Sequence, residues 1–320
     1  MSDNYEDYYI GGDLLENSPT PMAQLKRTPS DTLPRLVDLR PICSPVEDQG
    51  KVGSCVANAV VGALELHQIK QGKPLRDLSR LFVYYNARKL EDRIGEPGTS
   101  ITVAAAAALG MGVCDAKLWP YQTTATDVEP TKHCYEAAAN LVAVQVAQVP
   151  FDNGVKACLA AELPVVFGMA VAGPLFGWAA VSGEMRPPAN GDWPEAGGGH
   201  AMLIVGYDDD RNAWLVRNSW GAGWGEEGHV WIDYGVMQYY RRGRGDPVVI
   251  GGIQERRQFE LSGPSTNSVI ATILGNAPAD VQAGMKNRRS EIAGELDEHL
   301  DKTARDIRNR LRGPGAGGGY

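Results

Sequence analysis

The chain has 320 residues, 43% apolar and 22% charged, with a net charge of −8. That length suits one large or two medium domains, and the acidic balance excludes nucleic acid as the main partner, because phosphate binding needs clustered Lys and Arg. No run of about 18 apolar residues occurs, so no segment reads as a membrane span. Residues 1–35 carry acids, prolines and the tyrosines Tyr5, Tyr8 and Tyr9 without a sustained period, and read as an extended arm. The acidic start, Met1 to Asp7, has no apolar core behind it and does not read as a secretory signal peptide. A cytoplasmic location, or export by a leaderless route, is the expectation.

Gly50 to Gly53 is a Gly-rich turn, and the apolar run Val56 to Leu66 reads as a buried helix with Ser54 as its N-cap. Cys55 falls in the first turn, where unpaired N–H groups and the positive end of the helix dipole favour a thiolate. Taken alone, a Cys there is equally an ordinary buried residue. Arg80 to Arg88 reads as a second helix starting near Ser79, and Gly98-Thr99-Ser100 leads into an Ala-rich helix that stops at Leu109-Gly110. Val142 to Val149 alternates as a strand, Gly154 to Leu163 reads as a short helix holding Cys158 on its apolar side, and Pro164 to Ala170 reads as an apolar strand. Gly173 to Gly199 reads as a long Pro/Gly/Trp-rich connection of the kind that rims a cleft.

Next, Gly197-Gly198-Gly199-His200 opens a strand running to Tyr207, and Trp214 to Asn218 is a strand ending in an Asn inside a Trp/Gly-rich turn. Gly263 to Ser268 reads as a linker. Residues 283–312, with Ile292, Leu296, Leu300, Ile307 and Leu311, form an amphipathic helix before a Gly-rich tail at 313–320. A lone helix cannot bury that stripe, so docking on the domain or self-association is expected. His67, His133, His229 and His299 have no Cys, Asn or carboxylate pattern around them. The cysteines, Cys43, Cys55, Cys114, Cys134 and Cys158, lack the spacing of a metal site.

The three stretches around Cys55, His200 and Asn218, above all the run Asn218-Ser219-Trp220-Gly221-Ala222-Gly223-Trp224-Gly225, resemble the papain family of cysteine peptidases from about Leu36 to about Tyr240. The order Cys, His, Asn agrees, and the spacing is close to the papain-type pattern. The resemblance implies an α+β papain-like fold of two lobes, a helical left lobe and an antiparallel β-barrel-like right lobe, with the active site in the cleft between them. It divides the chain into an arm (1–35), a catalytic domain (36–245), a linker or extension (246–282), the helix and the tail. It implies a thiol protease acting on a peptide or protein, with no metal or cofactor. Cys55 supplies the thiolate, His200 carries the proton, Asn218 fixes the imidazole and Gln49 gives its amide to the oxyanion. Trp220 shields the His–Asn bond. Trp224 lies on the leaving-group side of the cleft, and Gly98, Thr99, Ser100 and Gly199 meet the substrate.

Two departures resemble a bacterial-type variant. Val52 stands where the family has a framework Cys, and Val56 where it has a Trp. They put the disulfide framework in doubt, and reduced thiols are expected. The arm is too short for the family's helical prodomain and is expected to restrain the enzyme by lying along its cleft. An acyl transferase or deconjugating enzyme would use the same thioester chemistry. A catalytically silent binding protein would not need all four of Gln49, Cys55, His200 and Asn218.

Overall fold

Residues 23–24, 33–151, 153–242 and 247–255 are described by the computed structural model of this chain. All belong to the first of two units, residues 1–273. The second unit, 274–320, lies outside the described residues, and with it the helix expected over 283–312 and the tail. The linker from 256 onward also lies outside. So does the arm, apart from strand β1 (Ala23–Gln24) and the residues just before strand β2 (Leu36–Asp38).

Helix α1 (Cys55–Lys70) is apolar on every face, which a helix tolerates only when it is covered all round. Every residue from Cys55 to Gln68 is buried. Helices α2 (Arg80–Leu90) and α3 (Ile101–Gly110) pack against it. Ser79 caps α2, its hydroxyl accepting from the Phe82 N–H at 3.1 Å. Ser54 does not cap α1 as expected, because Tyr121 and Asn58 engage its hydroxyl instead. Two charged or ionisable side chains of α1 find partners inside this core: Glu65 meets Arg80 at 2.7 Å, and His67 donates Nε2–H to the Ile250 carbonyl at 2.6 Å.

After helix α4 (Lys132–Ala138) the chain turns to strand. β3 (Leu141–Gln148), α5 (Asn153–Ala160) and β4 (Val165–Ala170) follow the sequence pattern closely. Then come α6 (Gly173–Ser182), β5 (Glu184–Met185), β6 (Gly199–Asp208), β7 (Ala213–Arg217), β8 (His229–Asp233), α7 (Tyr234–Tyr240) and β9 (Val248–Glu255). The nine strands form one sheet in the order β1-β3-β9-β4-β6-β7-β8-β5, with β2 also on β6. Pairing is antiparallel except for β1 on β3 and β5 on β8. β6 is buried from Gly199 to Tyr207 without alternation, as a strand covered on both faces must be. At Gly206 a Cβ would lie 2.2 Å from the Val37 carbonyl oxygen, so only glycine lets β2 lie down on β6 there.

Two stretches depart from the sequence reading. The connection expected over Gly173 to Gly199 begins with α6: Pro174 suits a first helical turn, and Gly183 ends the helix at a φ of +70°. Of the stretch read as linker or extension, the described part, β9, extends the sheet and fills the place between β3 and β4, a strand that the sequence reading did not assign. All five cysteines are free thiols. Among the described residues no helix is long and apolar enough to cross a membrane.

Candidate active site

Cys55 is the first residue of α1 and has no exposed surface. The backbone N–H groups of Ala201, Val56 and Cys55 itself favour the thiolate. Burial works the other way and wins, pushing the thiol up to about 11. The contact with Ala201 sets the sulfur beside the start of β6, where the preceding residue is His200.

His200 is also fully enclosed. Its Nε2 lies 2.8 Å from Oδ1 of Asn218, the residue just after β7. An amide oxygen can only accept, so Nε2 carries the proton and the neutral ring presents Nδ1 as a lone pair. Nδ1 has no hydrogen-bond partner among the described residues. The Asn218 bond favours the imidazolium, but burial outweighs it and lowers His200 to about 4. Burial at both groups favours the uncharged forms, a thiol on Cys55 and a neutral imidazole on His200.

Aromatic rings wall in the imidazole. Trp220 lies 4.9 Å from it, centroid to centroid, and Phe176 of α6 lies 6.2 Å away. Phe176 also meets Trp220 at 5.5 Å and Trp224 at 6.3 Å. Sequence reasoning missed Phe176, because its stretch reads as a loop.

Gln49 is buried and tied to the turn after Asn218 through Ser219. Its N–H donates to the Ser219 carbonyl at 2.8 Å, and its Oε1 accepts from the Ser219 hydroxyl at 2.6 Å. The Ser219 N–H in turn donates to Asn218 Oδ1 at 2.8 Å. Nε2 of Gln49 donates to the Val52 carbonyl at 3.0 Å, which leaves its second hydrogen for another acceptor. Ser219 thus links two expected site residues, a role that a serine inside a repeated Trp/Gly run does not announce.

The expected substrate-binding residues sit as follows. Gly98 has a φ of +83° and donates its N–H to the Tyr84 hydroxyl at 3.1 Å. Thr99 gives its hydroxyl to Glu91 at 2.7 Å, and Ser100 donates both its N–H, at 2.9 Å, and its hydroxyl to the same carboxylate. Those hydroxyls hold the start of α3 in place. Gly199 pairs with Ala170 across β6 and β4, and Met169 pairs with His200. Beyond Ala170 opens a cavity of about 300 Å³ lined by Trp193, Glu195, Tyr239, Tyr240 and Arg242, with Trp193 and Tyr239 stacked at 4.2 Å.

The sequence model of the papain family cysteine proteases matches residues 33–242. The chain is 33% identical over 199 residues to an uncharacterised peptidase C1-like protein of Acanthamoeba polyphaga mimivirus, an alignment covering 58% of this chain and 63% of that one. It is 29% identical over 209 residues to cathepsin S of Mus musculus, covering 62% of this chain and 58% of the relative. The chain thus spans about three-fifths of the length of these relatives. Among solved structures, xylellain, a cysteine protease from Xylella fastidiosa, superposes with a TM-score of 0.65 at 32% identity, covering 76% of this chain and 98% of that one. With the helix-borne Cys55, the His200–Asn218 pair and a sheet of this order, the chain belongs to the papain family of cysteine proteases.

Proposed function

We propose that the chain is a thiol protease that hydrolyses peptide bonds through Cys55, His200 and Asn218, with Gln49 in the oxyanion hole and the N-terminal arm as a restraint. The observation that carries the reading is the His200–Asn218 bond, which leaves Nδ1 unpaired, in a chain whose Cys55 opens a buried helix. In the reaction His200 takes the Cys55 proton and the thiolate attacks the peptide carbonyl carbon. The carbonyl oxygen becomes an oxyanion, met by the Cys55 N–H and the second Nε2 hydrogen of Gln49. His200 then gives its proton to the departing amine, and the C–N bond breaks to leave a thioester. Water, deprotonated by His200, attacks the thioester and returns the free thiol. Asn218 keeps the imidazole in register throughout, and Trp220 and Phe176 keep water from their bond. The aromatic cavity next to Ala170 would receive an apolar side chain of the substrate.

Neither Cys55 nor His200 reaches solvent, so a substrate must displace whatever covers the cysteine, and the restraint reading assigns part of that cover to the arm. The arm's reach suffices, since about 3.3 Å per extended residue takes it on the order of 100 Å. Chains with and without the arm, the second starting at Thr32, test this through peptide turnover and the rate of Cys55 alkylation at neutral pH. Both rates rise on truncation if the arm encloses the site. Equal rates in both assays would end the restraint, while loss of turnover in Cys55→Ala would still stand for the chemistry.

A further inference from the structure

The two donors of the oxyanion hole, the Gln49 side chain and the Cys55 N–H, are joined by a short turn. Gly50 sits at a φ of +54°, and inside the turn the Val52 carbonyl accepts from Gln49 Nε2 at 3.0 Å and from the Ser54 N–H at 2.7 Å, while the Val52 N–H reaches the Gln49 carbonyl at 3.3 Å. A further strut, from outside the turn, closes the span between its ends. Across its mouth lies the hydroxyl of Tyr121, 3.0 Å from the Gln49 carbonyl oxygen at one end and 2.6 Å from Ser54 Oγ at the other. Ser54 Oγ also lies 3.0 Å from Nδ2 of Asn58, one turn further along α1.

The chemistry of the end groups fixes every proton in this chain. The Gln49 carbonyl can only accept, so Tyr121 donates to it. Ser54 must then donate to Tyr121, and Ser54 Oγ accepts from Asn58, whose Nδ2 can only donate. Each hydroxyl gives one bond and takes one, so the bonds reinforce each other in a single direction. Burial holds the Tyr121 hydroxyl protonated, pushing it up to about 12, so the order survives across neutral pH. A phenyl ring would fill the same space. The hydroxyl adds the strut and not the packing.

We propose that Tyr121 is a positioning residue for peptide hydrolysis: its hydroxyl, ordered by Asn58 and Ser54, spans the 49–54 turn and keeps the Gln49 amide and the Cys55 N–H aimed at one oxygen. The proposal rests on the reading of Gln49 as an oxyanion donor. Its effect belongs to the transition state, where the oxyanion exists, and not to substrate binding.

The test is a double-mutant cycle in the full chain with Tyr121→Phe, Gln49→Ala and both, reading kcat and KM on a small peptide amide. Alongside it runs the rate at which iodoacetamide alkylates Cys55, a displacement that forms no oxyanion. Tyr121→Phe is expected to lower kcat about tenfold, the loss of one aligned hydrogen bond, with KM within about twofold and alkylation unchanged. In the Gln49→Ala background the same substitution is expected to cost much less than that. Ser54→Ala, which breaks the same chain at its next member, is expected to repeat the pattern. A Tyr121→Phe loss that is equal with and without Gln49, or that slows alkylation as much as turnover, overturns the proposal, as does an unchanged kcat. If Gln49→Ala alone leaves kcat intact, the oxyanion reading itself fails and the proposal falls with it.

Discussion

An imidazole serves as a proton carrier only when one ring nitrogen is held and the other left free, and His200 meets both conditions through one bond to Asn218. Asn218→Ala removes the holder and leaves the ring free to turn against Trp220 and Phe176. The loss of one buried hydrogen bond at the reacting group is expected to cost roughly 10–100-fold in kcat, with KM little changed. Steady-state kinetics of the variant checks this; full activity would mean the ring is held by its aromatic walls alone. Cys55, His200, Asn218 and Gln49 were legible in the sequence because each lies in a short stretch that a family match can read. Ser219, Phe176 and Tyr121 were not, because what they touch lies 170, 24 or 72 residues away. Nothing local marks such a residue: Ser219 lies in the motif itself, yet its bond to Gln49 appears only once β7 and the turn before α1 are side by side.

At the level of elements, α1 is legible because an uninterrupted apolar run has few alternatives to burial. α6 and β9 are harder. Gly173, Pro174 and Gly177 argue for a loop on local grounds, and α6 is held by Phe176 and Ala179, which are buried. β9 is a few apolar residues broken by Gly251 and Gly252, and it becomes a strand through pairing with β3, about a hundred residues earlier in the chain. The join between α1 and α2 rests on a buried ion pair. The Arg80 guanidinium, 5% exposed, meets both oxygens of Glu65, 1% exposed, at 2.8 and 2.7 Å, and Glu65 also accepts from the Leu78 N–H at 2.9 Å. Glu65→Ala leaves a buried cation with the Leu78 carbonyl and the outer carboxylates of Asp77 and Glu47. A loss of about 3 kcal/mol is expected in denaturant unfolding, and a change below about 1 kcal/mol would show that those outer groups suffice.

For the whole molecule, three buried histidines set how stability varies with pH. Burial lowers His200 and His229 to about 4 and lowers His67 as well, from a common starting value of 6.5. As pH falls below 6.5 the unfolded chain takes up protons that the folded chain refuses, so stability drops through that window and the loss levels off near pH 4. In the carboxylate range Glu47 and Asp77, which burial raises, act in the opposite sense, while Asp38, Asp209 and Glu226, lowered in the fold, add to the loss, so the clean interval is pH 7 to 5. Unfolding midpoints are expected to fall steeply across it, and a flat profile would mean that these side chains are hydrated in solution. The central claim, peptide hydrolysis by the Cys55 thiol, is tested most directly by mass spectrometry of a peptide library incubated in heavy-oxygen water. The full chain and the chain starting at Thr32 are each compared with their Cys55→Ala forms. The account predicts shortened peptides whose new carboxylates carry the heavy oxygen, lost by at least about 10³-fold in both Cys55→Ala forms. Cleavage that persists without Cys55, or products joined to an acceptor amine in place of the labelled carboxylate, would contradict it.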